Sequence, residues 1–121
     1  MSAKILVVDD SRMVRSQVAL ALGDAGFEVL EASDGHEALQ KLDAGGVSLV
    51  VCDINMPNMG GIEFLDQLRT KPFTPPPVVM LTTEGQPDLV QRAKTLGAKG
   101  WIMKPFKPAL LIAAAKRLVA A

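Results

Sequence analysis

The sequence predicts a single α/β domain with a doubly wound (βα)5 arrangement, in which helices cover both faces of a five-stranded parallel sheet. Its length of 121 residues corresponds to one domain, which we place over residues 1–121. Five short apolar runs alternate with five segments in which apolar residues recur every three or four positions. A βα unit repeated in this way is typical of a parallel sheet covered by helices.

The five apolar runs predict the strands. They are Ile5–Val8, Phe27–Ala32, Ser48–Cys52, Val78–Leu81 and Gly100–Met103. The first, third and fourth runs consist almost entirely of apolar residues, as expected for central strands that are covered on both faces. The second run carries Glu28 and Glu31, which favours a position at an edge of the sheet.

The segments between the runs have the spacing of amphipathic helices. Their apolar positions are Val14, Val18, Ala21 and Ala25, then Leu39 and Leu42, then Ile62, Leu65 and Leu68, then Leu89, Ala93 and Leu96, and finally Leu110, Ala114 and Leu118. Glycines stand where the first, second and fourth helices should end, at Gly26, Gly45, Gly46 and Gly97.

Composition excludes several classes of protein. Thirteen Lys and Arg balance thirteen Asp and Glu, and the basic residues are accompanied by few aromatics, so we expect no binding to nucleic acid. A single cysteine excludes a disulfide framework and a thiolate zinc site. No apolar stretch is long enough to cross a membrane, and the N-terminus lacks the apolar region of a signal peptide. We therefore expect a cytoplasmic protein that does not bind membranes.

Charge is unevenly distributed along the chain. Residues 1–60 contain four basic and nine acidic residues, and residues 61–121 contain nine basic and four acidic residues. This asymmetry indicates either two solvated faces of opposite sign or an acidic site that cations from the second half complete.

Acidic residues directly follow two of the predicted strands. Asp9 and Asp10 come after the first strand, and Asp53 comes after the third. Ligands of open parallel sheets bind beyond the carboxyl ends of the strands, so three carboxylates would converge if these strands are neighbours. Alternatively, Asp9, Asp10 or Ser11 only caps the next helix, which would explain one acid but not the other two.

Three neighbouring carboxylates require a cation, because each close pair repels by roughly 3–4 kcal/mol at an effective dielectric constant near 20. Oxygen ligands favour a hard divalent ion such as Mg²⁺, and the absence of a His/Cys cluster argues against zinc.

Cationic and hydroxyl groups follow the last two strands. Thr82 and Thr83 come after the fourth strand, and Lys104 comes after the fifth. These groups suit a phosphoryl group, although a solvated lysine and a helix-capping threonine are the simpler alternatives. Because the sequence has neither of the glycine-rich nucleotide-binding motifs, an acyl phosphate on Asp53 is favoured over bound ATP.

Four sequence blocks together resemble a known family. They are Asp9–Asp10, Asp53–Gly61, Leu81–Glu84 and Gly100–Phe106. In order and spacing they are similar to the receiver domain of bacterial response regulators, over essentially the whole chain. Among receivers, the chain most resembles the stand-alone ones of chemotaxis. The resemblance implies a flavodoxin-like sheet with strand order 2-1-3-4-5.

The resemblance also implies roles for the residues at the strand ends. Asp53 would accept a phosphoryl group from the phosphohistidine of a sensor histidine kinase. Asp10, the Asp53 carboxylate and the Asn55 backbone carbonyl would hold Mg²⁺, and Asp9 would act mostly through water. Thr82 would hydrogen-bond the phosphoryl group.

Lys104 would pair with the phosphoryl group, and the Lys104–Pro105 bond would be cis. Asn55 and Thr83 would flank the approach of a hydrolytic water and so tune the lifetime of the acyl phosphate. The movable parts of the switch would be Trp101 and the Thr82–Glu84 loop, which contains Thr83.

Two positions depart from the family pattern. Trp101 stands where most members have Tyr or Phe, and its indole is larger and needs a partner for its N–H. It acts either as a switch or as an aromatic that fills an edge of the core. Gly60 stands where Asp is common, and we expect this change to alter only a helix cap.

The implied output surface is the fourth helix, the fifth strand and the fifth helix, with a flagellar motor-switch protein as the expected target. The same surface is compatible with a monomer or a weak dimer. Alternatives are a phosphate sink or a regulator of another kinase or of pili. A haloacid-dehalogenase-like phosphohydrolase is a remote alternative, because Asn55 stands where that class needs an Asp as acid and base. We therefore expect no turnover enzyme.

Overall fold

The structure is a computed structural model and describes residues 2–120. Its strands are β1 (Lys4–Val8), β2 (Glu28–Ala32), β3 (Val47–Cys52), β4 (Val78–Thr82) and β5 (Gly100–Met103). Its helices are α1 (Arg12–Asp24), α2 (Gly35–Asp43), α3 (Gly61–Leu68), α4 (Pro87–Thr95) and α5 (Pro108–Ala120). None of the helices within residues 2–120 has the length and apolar character needed to cross a bilayer.

All five strands form one parallel sheet in the order β2-β1-β3-β4-β5. This order confirms the doubly wound α/β fold, the neighbouring positions of the first and third strands and the edge position of the second. Each observed strand begins and ends within one residue of the range predicted from the sequence.

Two hydrophobic clusters cover the two faces of the sheet, because successive side chains of a strand point to opposite sides. On β1, Ile5 and Val7 pack with residues of α1 and α5, whereas Leu6 and Val8 pack with residues of α2, α3 and α4. Phe64 of α3 is fully buried in the second cluster. The sheet is therefore held rigidly from both sides.

Glycines end three helices as the sequence predicts. Gly26 after α1 and Gly97 after α4 have φ angles of 97° and 105°, which side chains rarely tolerate. Gly45 and Gly46 after α2 also have positive φ angles. Gly60 is the N-cap of α3 and makes no side-chain capping bond, so its departure from the family pattern costs one cap hydrogen bond.

Candidate functional site

The strand register brings the acidic residues together at the carboxyl edge of the sheet. Val8 of β1 pairs with Cys52 of β3, so Asp9 and Asp53 leave their strands side by side. One oxygen from each carboxylate of Asp9, Asp10 and Asp53 lies within 4.8 Å of the others. The expected convergence of three carboxylates is thus confirmed.

Ser11, rather than an aspartate, caps helix α1. The Ser11 hydroxyl accepts a hydrogen bond from the Val14 amide at 3.3 Å. The Asp9 carboxylate in turn accepts the Ser11 amide at 2.8 Å. Capping of α1 therefore does not explain why Asp10 and Asp53 lie here, as the sequence analysis anticipates.

Lys104 supplies the cation that the second half of the chain was expected to contribute. Its Nζ atom donates to Asp9 Oδ2 at 2.7 Å and to Asp53 Oδ2 at 3.1 Å. Burial disfavours the charge on this lysine, but the two carboxylates outweigh burial and raise the pKa of Lys104 above its usual value. The Lys104–Pro105 bond is cis, as the resemblance implied.

The three carboxylates differ in environment. Asp9 and Asp53 are buried, at 2% and 7% exposure, whereas Asp10 is open to solvent. Burial raises the pKa of Asp9, and the hydrogen bonds from Lys104 and the Ser11 amide only partly offset that effect. This site therefore favours an additional positive charge near its buried carboxylates.

The segment after β3 holds Asp53 in place. Its carboxylate Oδ1 accepts the Ile54 amide at 2.7 Å, and its carbonyl accepts the Cys52 thiol at 3.2 Å. A polar cleft of about 470 Å³ lies beside this segment, and Asp10, Asn55 and Glu63 are among the residues that line it. Asp10 and Asn55 therefore border the same cleft.

Thr82 and Thr83 diverge, although they are adjacent in sequence. Thr82 is buried, and its hydroxyl accepts the Glu84 amide at 3.1 Å. Thr83 is exposed and lines an apolar cavity of about 740 Å³ between α1 and α5, to which Lys104 also contributes. Thr83 therefore lines a cavity that does not include Thr82.

Glu84 connects two residues that the sequence analysis treated separately. Its carboxylate accepts the Asn55 side-chain amide at 2.8 Å, and its backbone carbonyl accepts the Trp101 indole N–H at 3.0 Å. Trp101 is half-buried and packs against the hydrophobic cluster on the α2, α3 and α4 side. Its indole therefore has the partner it needs. From the sequence, Glu84 is predicted only as part of the movable Thr82–Glu84 loop, and neither of these two contacts is predicted.

The donor set fits Mg²⁺. All candidate ligands are oxygens, and two of the three carboxylates are buried beside the ammonium group of Lys104. Carboxylate and carbonyl oxygens are the groups that this hard ion prefers, with water completing its coordination. When bound, the ion would neutralise charge on the carboxylates and on an incoming phosphoryl group.

Comparisons with known proteins agree with this geometry. The model of the response regulator receiver domain matches residues 5–116. The chain is 40% identical over 111 residues to the chemotaxis protein CheY1 of Helicobacter pylori, covering 89% of this chain and 90% of that protein. It is 35% identical over 112 residues to the transcriptional regulatory protein PdtaR of Mycobacterium tuberculosis, covering 92% of this chain and 54% of that protein.

A solved structure shares both the fold and much of the sequence. The structure of the Vibrio cholerae chemotaxis protein CheY4 superimposes with a TM-score of 0.89 and 43% identity, covering 98% of this chain and 99% of the other. The fold and the sequence similarity therefore agree over nearly the whole chain.

Proposed function

This chain belongs to the response regulator receiver family, and from that premise we propose that it is a phosphorylation switch centred on Asp53. Members of this family are phosphoacceptors rather than turnover enzymes. The observation that carries the proposal is the contact of Lys104 with both Asp9 and Asp53 at the edge where three carboxylates meet. Such a site can accept both a divalent cation and a phosphoryl group.

The proposed transfer moves one phosphoryl group between two side chains. A carboxylate oxygen of Asp53 attacks phosphorus, the P–N bond to a histidine of a sensor kinase breaks, and the imidazole leaves with the bonding electron pair. Asp10, Asp53 and the Asn55 carbonyl would hold Mg²⁺, and Asp9 would act through water. Water later attacks phosphorus, the bond between phosphorus and the Asp53 oxygen breaks, and inorganic phosphate leaves, which restores the Asp53 carboxylate.

Two side chains would form bonds to the phosphoryl group on Asp53. The phosphoryl group carries about −1.5 to −2 charge in place of the single charge of the Asp53 carboxylate, which favours a bond from Lys104 and one from the Thr82 hydroxyl. A tenfold shift in a two-state equilibrium needs only about 1.4 kcal/mol, a plausible sum for two such bonds. Rearrangement of the Thr82–Glu84 loop would then reach Trp101 through the Glu84 carbonyl. Thr83 and Asn55 would set the lifetime of the acyl phosphate.

The surface formed by α4, β5 and α5 is the proposed output face. Met103 and Leu110 are 45% and 59% exposed there, and they border a cavity of about 380 Å³ together with Trp101. Exposed apolar side chains around a cavity are suited to a protein partner. Because CheY1 and CheY4 are chemotaxis proteins, we propose that this receiver is cytoplasmic and that its target is a flagellar motor-switch protein.

The phosphorylation itself is tested by intact-mass spectrometry after incubation with a small phosphodonor, with and without Mg²⁺. We expect one Mg²⁺-dependent phosphoryl adduct in the wild type and none in Asp53→Asn. Trp101 fluorescence in the same samples should change with the adduct, since this is the only tryptophan. Absence of an adduct with every donor would refute the proposal.

The target is tested by capture with and without a phosphoryl analogue. Recovery of a motor-switch protein favours chemotaxis, whereas recovery of a kinase alone favours a phosphate sink, and a pilus protein favours the remaining alternative. A Trp101→Ala protein that still gains target affinity on phosphorylation would remove Trp101 from the switch.

A further inference from the structure

Arg15 of α1 makes two directed hydrogen bonds to different parts of the sheet edge. Its Nη1 atom donates to the backbone carbonyl of Asp9 at 2.6 Å. Its Nε atom donates to Glu31 Oε1 on β2 at 3.0 Å. The Arg15 side chain is 16% exposed and that of Glu31 is 44% exposed, so the bond to the Asp9 carbonyl is the more shielded of the two.

The bond to Asp9 completes a set of contacts around one residue. The Asp9 amide donates to the Ala32 carbonyl at 3.1 Å, and the Asp9 carboxylate is bound by Ser11 and Lys104. Arg15 takes the remaining backbone acceptor. Since the Asp9 carbonyl belongs to the peptide bond that joins Asp9 to Asp10, Arg15 fixes the plane from which Asp10 projects.

Asp10 depends on this backbone for its direction. Its side chain is exposed and takes part in none of the ion pairs found between residues 2 and 120. A carboxylate of this kind is directed mainly by its main chain. We propose that Arg15 is a positioning residue that orients Asp10 toward the metal site, with Glu31 anchoring the guanidinium from the opposite side.

The chemistry of arginine explains why this residue type is needed. A guanidinium presents several N–H donors in a rigid plane, so it bonds a carbonyl and a carboxylate in fixed directions at once. The single ammonium of lysine is less suited to hold both acceptors in place. Groups that orient a metal ligand without touching the metal typically change metal affinity by about 10–100-fold.

The inference rests on the proposed Mg²⁺ site, and its test measures Mg²⁺ binding directly. The probe is MgCl2 alone, titrated into ¹⁵N-labelled protein while the Asp10 and Ser11 amide signals are followed by NMR. We expect Arg15→Met to raise the Kd for Mg²⁺ about tenfold, and Arg15→Lys to raise it by a smaller factor. The spectra before Mg²⁺ addition report whether each variant is folded.

The direction of the change in the Kd for Mg²⁺ distinguishes a positioning role of Arg15 from a simple effect of its charge. Removing a positive charge near a cation site should by itself tighten Mg²⁺ binding. Arg12→Met is the matched control. Arg12 is an exposed arginine of the same helix, and its substitution by Met removes the same charge. Its Kd should stay the same or fall, whereas the Kd of Arg15→Met should rise.

Each outcome decides a different question. If the wild type shows saturable Mg²⁺ shifts that Asp10→Asn loses, and folded Arg15→Met binds as tightly as wild type, the role of Arg15 is refuted and the proposed function stands. If the wild type itself binds no Mg²⁺, the metal site and the role of Arg15 fail together. Should Arg15→Met not fold, an unchanged Kd in Arg15→Lys overturns the inference.

Discussion

Asp9 carries a negative charge in a place that disfavours it. Burial raises the pKa of its carboxyl despite the hydrogen bonds from Lys104 and Ser11. A carboxyl group whose pKa is raised in the folded state contributes to stability at low pH, where it is protonated. This contribution is lost as the pH rises through the pKa of the folded state. In the absence of metal, the ionised Asp9 therefore lowers the free energy of unfolding at neutral pH.

We expect Asp9→Asn to raise the free energy of unfolding by about 1 kcal/mol at pH 7 without Mg²⁺, since Lys104 keeps Asp53 as a partner. The difference in unfolding free energy between Asp9→Asn and wild type should grow as the pH rises from 3.8, the usual pKa, to the raised pKa of folded Asp9. Above that pKa it should stay constant. Urea unfolding at a series of pH values measures it.

Asp10→Asn is the control for this comparison, because the exposed Asp10 should change stability by less than about 0.5 kcal/mol. An Asp9→Asn protein that is less stable than wild type at pH 7 would contradict the argument.

At the scale of single residues, the sequence predicts positions better than contacts. Asp9, Asp53, Thr82 and Lys104 were placed at one edge because the carboxyl ends of parallel strands meet there. The bonds of Glu84 to Asn55 and Trp101 depend instead on the shape of the loop after β4. No spacing rule specifies such a loop, so these contacts emerge only from the structure.

At the scale of elements, α3 approaches the end of β3 unusually closely. A Cβ atom added at Gly61 would lie 2.2 Å from the Asp53 carbonyl oxygen and 2.9 Å from Met80 Cε. Since the nearest atom belongs to the backbone, a side chain here must displace either the helix or the segment that carries Asp53. The packing of α3 is thus coupled to the position of Asp53.

We expect Gly61→Ala to lower the free energy of unfolding by about 2–3 kcal/mol through this overlap. Gly23→Ala is the matched control, because Gly23 lies inside α1 and a Cβ there meets nothing within 4 Å. That change should raise stability by roughly 0.5–1 kcal/mol. Urea denaturation of both variants checks the opposite signs, and a neutral Gly61→Ala would disprove the coupling.

The output face also belongs to this scale, because it combines two helices and a strand. Leu110→Glu should reduce phosphorylation-dependent target binding at least tenfold, as expected when a charge replaces a central apolar contact. Phosphorylation by a small donor should be unaffected. Leu20→Glu, at an equally exposed leucine of α1, is the control and should leave target binding unchanged.

The limits of the strands were predictable because composition and burial coincide in this fold. Central strands covered on both faces require continuous apolar runs, and glycine is needed where α1 and α4 end with positive φ angles. The order of the strands came from the family resemblance, since the composition of β2 indicates an edge without saying which strand lies beside it.

At the scale of the whole molecule, the two halves of the chain complete each other. The acidic half supplies Asp9 and Asp53, and Lys104 from the basic half binds both, across 95 residues in the first case. The charge asymmetry in the sequence therefore reflects, in part, a single site assembled from distant segments. Such a site exists only when β1, β3 and the edge strand β5 are all in place.

Cys52 offers a way to measure the opening of the sheet next to that site. Its thiol is fully buried in β3 directly before Asp53, and burial raises its pKa. Alkylation consequently requires the central strand to become exposed, so its rate under mild conditions reports the population of opened molecules.

Mg²⁺ at ten times its Kd should slow this alkylation about elevenfold, because a ligand of the folded state stabilises it by about 1.4 kcal/mol at that concentration. Asp10→Asn should show no such slowing, and equal rates in wild type with and without Mg²⁺ would contradict the linkage. The buried thiol thus makes reaction kinetics at one sulfur atom a measure of the fraction of molecules in which the strand before Asp53 is open.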